Sequence, residues 1–182
     1  MSFTELDATT RRWMLDRLEV EESSGTPYRS PVLSTVGLDT WPNLLRNAIA
    51  HSDGNEITLA AALADPDFWK PTETYVRNGV QRERKVNVAQ VAERLAITEF
   101  NTWYVAGLAH RLLDEGEAEC LVYRAAEPKW EHASCSAHEG HTFGLDDVIA
   151  GHRAGYWPPP GRPDQFSIPA GPGCHHSIQR VG

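Results

Sequence analysis

The chain has 182 residues, 41% of them hydrophobic and 23% charged, which supports a packed core and argues against wholesale disorder. Seventeen Lys and Arg stand against 25 Asp and Glu, a formal charge of -8, so a surface devoted to gripping nucleic-acid phosphates is disfavoured. No apolar run reaches the roughly 20 residues of a membrane span. The opening residues lack an apolar signal core, so the chain reads as unexported. Its three cysteines, Cys120, Cys135 and Cys174, are too few for a disulfide framework and suit a reducing compartment.

Residues 3–22 read as a helix. Ser2 and Glu5 form a capping-box pattern, and Phe3, Leu6, Trp13, Leu15 and Leu18 form a partial apolar stripe. Arg11, Arg12, Asp16, Arg17 and Glu19 are expected to face water. Residues 23–42 hold Ser23, Ser24, Gly25, Pro27, Pro31 and Pro42 and read as a long irregular stretch, of a kind that packs on another chain. Trp41 to Ala50 and Ile57 to Ala64 read as short helices. Pro66 and Pro71 bracket an irregular segment, and Thr72 to Val76 reads as a short strand.

The strongest helix signal runs from Val88 to Glu115. Asn87 is a good N-cap, and Val88, Val91, Leu95, Tyr104, Leu108 and Leu112 recur at three- and four-residue steps or their multiples. Gly116 supplies the left-handed stop. Cys120 to Tyr123 then reads as a buried strand, followed by a turn at Pro128. His141 to Phe143 reads as a second strand, Leu145 to Arg153 as a short helix, and Cys174 to Val181 as an edge strand. Residues 154–173 hold six of the twelve prolines and four glycines and form a loop.

Six of the eight histidines, namely His132, His138, His141, His152, His175 and His176, fall in the last third of the chain. His132 and Cys135 sit three apart, and Cys174-His175-His176 follows some forty residues later. Two short donor clusters joined by a long loop are the usual construction of a structural zinc site, since imidazole nitrogen and thiolate sulfur suit zinc. The expected ligands are His132, Cys135, Cys174 and His176. On a strand His175 points away from His176, so at most one faces the ion. His175, His138 and His141 remain open as replacements. The bland reading is that the cysteines are small buried residues and His132 a surface one.

His138-Glu139-Gly140-His141 lacks the four-residue histidine spacing of a metalloprotease helix. No zinc-deaminase signature, phosphate loop or nucleophile elbow is present. Trp103-Tyr104 is most simply core. Tyr156-Trp157 followed by Pro158 to Pro160 reads equally as a partner surface or as a loop packed on its own domain.

The helix ending at Gly116, the strand Leu121-Val122-Tyr123, the pair at 132 and 135, Gly140 with Phe143, and the closing Pro172-Gly-Cys174-His-His176-Ser-Ile178 together resemble the C-terminal domain of phage Mu protein F-like minor head proteins. That family shows a helix carrying Thr-Glu and an Asn, then Cys-x-x-Cys, Gly-x-x-Phe and a closing His-Pro-x-Cys-x-Cys strand. Thr98-Glu99 and Asn101 match the helix motif. His132 and Cys135 match the first cysteine pair, and Cys174 and His176 the second. Two cysteines are therefore replaced by histidine, which keeps a metal donor, and Gly171 stands where the family often has histidine. The resemblance covers residues 88–180.

The chain reads as α+β: a helical and irregular region, residues 1–85, whose weak self-contained core pattern suggests assembly contacts, then residues 86–182, which the resemblance makes a Mu F-like domain with one long helix and short antiparallel strands pinned by zinc. The resemblance implies a structural role in a phage head through contact with portal or capsid proteins. Incidental DNA contact and a homo-oligomer within the head are compatible with it; a membrane is not involved. The expected location is the virion, and the host cytoplasm during assembly. The alternative is a small zinc hydrolase or nuclease with His132, Cys135 and Cys174 as ligands and Glu131 or Glu139 as general base. A host regulatory domain with a zinc knuckle is a third reading, disfavoured by the acidic balance.

Overall fold

A computed structural model describes residues 1–127, 136–159, 161–162 and 165–182. It is mixed α+β: among the described residues, five α-helices and two small antiparallel sheets. The helices are α1 (Ala8–Ser23), α2 (Thr35–Ala50), α3 (Glu56–Ala62), α4 (Val88–Asp114) and α5 (Leu145–Ala150). The strands are β1 (Thr72–Arg77), β2 (Val80–Lys85), β3 (Glu119–Arg124), β4 (Thr142–Gly144) and β5 (His176–Arg180). No helix among the described residues is long and apolar enough to cross a membrane.

The long central helix forms as its periodicity predicts. Asn87 accepts a hydrogen bond from the Gln90 backbone N–H at 3.2 Å, and Gly116 adopts φ +88° just past the end. Helices α1, α3 and α5 and strand β5 all pack on α4, so that even its polar residues Thr98, Glu99, Asn101 and Thr102 are buried. One apolar cluster runs through the molecule, from Met14 and Leu18 through Trp41, Phe100 and Leu108 to Val122 and Ile178. Residues on both sides of position 85 contribute to it.

The N-terminus differs from its local signal. Helix α1 begins after Asp7, whose side chain accepts from the Thr10 N–H at 2.9 Å, rather than after Ser2. Residues 1–6 instead lie along the β3 side of the molecule. The Ser2 N–H donates to the Ala125 carbonyl at 2.7 Å, and Phe3 packs on the rings of Phe100 and Tyr104. Burying that ring outweighs a cap worth about 1 kcal/mol. Arg11, expected at the surface, is buried: its guanidinium donates to the carbonyls of Ala48, Ile49, Ser52 and Gly54 around the C-terminal end of α2. A cation there complements the helix dipole and satisfies carbonyls that the helix leaves open. Close approach of α1 to α4 depends on Gly107, where a Cβ would meet the Met14 backbone N at 2.7 Å.

The segment 23–42 is less irregular than its composition suggests. Ser34 caps α2 by accepting from the Gly37 N–H at 3.1 Å, and Pro42 lies inside the helix. Proline removes one intrahelical donor there, while Trp41, Leu45 and Ile49 bury on the core face. The rest of the segment packs on its own chain. Leu33 bridges to Trp69, and the Lys70 N–H donates to the Val32 carbonyl at 2.9 Å.

Strand β1 matches expectation, but it is half of a hairpin. Asn78 and Gly79 turn it into β2 with φ +53° and +73°. Two positive φ values in a two-residue turn are what the Asn-Gly pair supplies at little cost. The second sheet has the order β4-β3-β5, with both pairs antiparallel, so β5 is an edge strand as anticipated. Cys120 and Val122 on β3 face the core, and burial pushes the Cys120 thiol up to about 12, leaving it unreactive.

Candidate functional site

Two polar centres flank the middle of α4, and both are built from the Thr98-Glu99-x-Asn101 stretch. The first joins α4 to the closing strand. The Asn101 side-chain amide donates to the His176 carbonyl at 2.8 Å, and the Gly173 N–H donates to the Thr98 hydroxyl at 3.4 Å. The segment carrying Cys174 and His176 is therefore tied to the helix at two points. Cys174 is buried and precedes β5 by two residues; His176, the first residue of β5, is buried as well, while His175 is half-buried.

The His176 ring is held on one side only. Its Nε2 lies 3.0 Å from Glu139 Oε2, and Glu139 is held in turn by Arg124 at 2.9 Å. The other ring nitrogen, Nδ1, is buried with no hydrogen-bond partner among the described residues. A neutral imidazole that donates Nε2–H to a carboxylate presents a bare lone pair at Nδ1. That is the arrangement of a metal-bound histidine, whose second nitrogen almost always bonds a carboxylate or carbonyl. Hydrogen bonds from Arg124 and His176 hold the Glu139 carboxyl below the ordinary carboxylate range, which makes it a strong orienting anion and a weak general base.

Of the four expected ligands, His132 and Cys135 lie outside the described residues, as do Glu131, the turn at Pro128, and Pro160. Among the described residues no group of three or more His, Cys, Asp or Glu side chains is arranged to hold a metal ion. The donor chemistry at His176 fits zinc: its Nδ1 and the Cys174 thiolate would supply nitrogen and sulfur from the closing segment. His138 and His141 are placed differently. His138 meets the rings of Phe143 and Phe166 edge-on, at 5.2 Å each, and burial together with His176 and His141 lowers its pKa. His141 is exposed, and residues 137–140 form a turn, not a helix carrying two histidines on one face.

The second centre is closed. Arg153 is buried and pairs with Glu99 through two bonds of 2.7 Å, Nη1 to Oε1 and Nη2 to Oε2. Its Nε donates to Glu21 Oε2 at 2.9 Å and its Nη1 to the Tyr156 hydroxyl at 2.9 Å. The Tyr28 ring lies 4.7 Å and the Trp103 ring 5.2 Å from the guanidinium carbon. Arg153 holds φ +55°, a left-handed conformation that costs a non-glycine residue about 1–2 kcal/mol, and the bidentate pair overcomes it. Desolvation disfavours the guanidinium, but Glu99 and Glu21 outweigh that and raise its pKa well above the ordinary value. Burial also raises the Glu21 carboxyl; the His152 hydrogen bond and the charge of Arg153 more than reverse this and bring it to about 2.

Nothing in the sequence marked Arg153 or Glu21 as a pair, because they lie 132 residues apart. Tyr156 and Trp157 also turn inward. Their rings meet Tyr28 edge-on at 5.5 and 5.6 Å, and the Trp157 indole N–H donates to the Thr26 carbonyl at 3.0 Å. Trp103 and Tyr104 are core, as expected. Family models, curated proteins and solved structures, compared with this chain, give no match.

Proposed function

We propose that this chain is a minor head protein of a phage or prophage, acting in capsid or portal-vertex assembly, DNA packaging or ejection through contacts with portal or capsid proteins. Residues 86–182 form the Mu F-like domain in this reading. Residues 1–85 supply assembly contacts, with exposed Val36, Leu38 and Ile57 as apolar candidates. A zinc ion bound by His132, Cys135, Cys174 and His176 would supply a structural crosslink between two loops. The observation that carries the reading is the coupling of the helix motif to the closing segment: Thr98 bonds Gly173 and Asn101 bonds His176. Residues far apart in the chain, Thr98 and Asn101 singled out by resemblance and His176 by its donor spacing, are joined in one hydrogen-bonded unit.

The hydrolase alternative needs Glu131 or Glu139 as base, and Glu139 is already committed to Arg124 and His176. The full chain, co-expressed with a phage portal protein, is expected to co-purify with it and to carry one zinc. Cobalt substituted for that zinc should show a tetrahedral sulfur and nitrogen spectrum indifferent to added anions. A cobalt spectrum that shifts with azide would replace the structural role by a catalytic one. Failure to associate with either portal or capsid protein would remove the head assignment.

A further inference from the structure

A cavity of about 360 Å³ opens between α1, α4, α5 and the loop after Gly151. Its walls are apolar and aromatic, with Trp103, Trp157, Ile149 and Ile168 among them. Its charged and titratable groups are Arg17 and Glu21 from α1, His110 from α4, and His152 and Arg153 from the loop. The volume lies at the lower end for small-molecule sites, enough for one ring-sized ligand.

Of the two guanidiniums in the lining, Arg153 is paired with Glu21 and with Glu99 behind the wall, and Arg17 is the one without an ion pair among the described residues. Glu21 is the single carboxylate in the lining, and both its oxygens are engaged: Oε2 by His152 at 3.1 Å and Arg153 at 2.9 Å, Oε1 by the Tyr28 N–H at 3.1 Å. Arg153 is paired with Glu99 and Glu21 and also bonds Tyr156. The Nε of Arg17 is buried with no acceptor among the described residues. Its guanidinium carbon sits 5.9 Å from the Trp13 ring centre. Burial first, and then the charges of Arg17 and His152, lower the pKa of His110. A buried donor left without an acceptor costs stability that a bound anion restores.

We propose that this cavity binds a carboxylate carried on an apolar or aromatic body, with Arg17 as its ion-pair partner and Trp103 and Trp157 against the body. The site is independent of the zinc and head-protein readings. The carboxylate is either a small acid or the C-terminal residue of a polypeptide, since both present the same chemistry.

The test is a titration of the full chain with phenylacetate, followed by tryptophan fluorescence and the His110 ring resonances. Saturable binding is expected at millimolar concentration or below, with the neutral phenylacetamide at least ~10-fold weaker. The pKa of His110 should rise on binding, because a carboxylate enters its field. Arg17→Gln should weaken phenylacetate about 10-fold and Arg17→Lys should retain most of the affinity, with melting curves showing both variants folded. An acetylated dipeptide ending in Phe, free or amidated, separates the sources. Tighter binding of the free dipeptide than of phenylacetate assigns the site to a chain terminus, and the reverse order assigns it to a small acid. Equal binding of acid and amide, an unmoved His110, or an unaffected Arg17→Gln variant would overturn the proposal.

Discussion

Glu99 and Asn101 stand two residues apart on one helix and organise polar centres of opposite character. Around Glu99 the charged groups are paired with one another: Arg153 is bidentate to Glu99 and also bonds Glu21 and Tyr156. Around Asn101 the accounts stay open. Its own Oδ1, the Ser177 hydroxyl and His176 Nδ1 are all buried with no hydrogen-bond partner among the described residues. A satisfied buried network specifies one packing of the chain, whereas a buried lone pair backed by a carboxylate asks for a ligand. The closed centre thus fixes the loop after Gly151 against α1 and α4, while the open one ties the closing segment to α4 and leaves polar atoms for a ligand.

The largest effect should come from breaking the closed centre. Arg153→Met leaves the buried Glu99 carboxyl without its partner, and urea unfolding should show a loss of about 3–5 kcal/mol. A loss below about 1 kcal/mol would mean that the pair is solvated and the contrast between the centres is false. Acid probes the same centre next. Glu21 titrates lower folded than unfolded, so its stabilisation is complete above the ordinary value of 4.5 and disappears as the pH falls toward about 2. Up to about 3 kcal/mol should be lost across that window, and Glu21→Gln should flatten that part of the stability profile.

The smallest effect tests the open centre. With zinc bound as proposed, Glu139→Gln should weaken zinc affinity about 10- to 100-fold in a competitive chelator titration while leaving the stoichiometry intact. Full-strength binding in that variant would show that Glu139 does not orient His176.

Much of the scaffold could be read from local chemistry. The cap at Asn87, the apolar repeat from Val88 to Leu112 and the stop at Gly116 are all near-neighbour signals, and α4 follows them. Strand β3 and the edge position of β5 were equally legible. Strand β2 was missed although its signal was present: Asn78-Gly79 is the strongest short-range hairpin mark, but the polar run Gln81-Arg-Glu-Arg-Lys85 hid the strand behind it. The start of α1 and the length of α2 went the other way. Good local signals at Ser2 and Pro42 yielded to burial of Phe3 and of the Trp41 face.

By itself the sequence determined the long helix, the strands that follow it, and a set of donor residues at His132, Cys135, Cys174 and His176 whose chemistry suits zinc. Tertiary structure alone decided that Glu99 meets Arg153, that Asn101 holds the His176 backbone, that Arg11 closes α2 and that Arg17 faces a cavity without a carboxylate of its own. The reason is range. Caps, periodicity and turns act across a few residues and are written locally, whereas the partner of a buried charge is chosen by desolvation, which compels whatever complementary group the folded chain brings near.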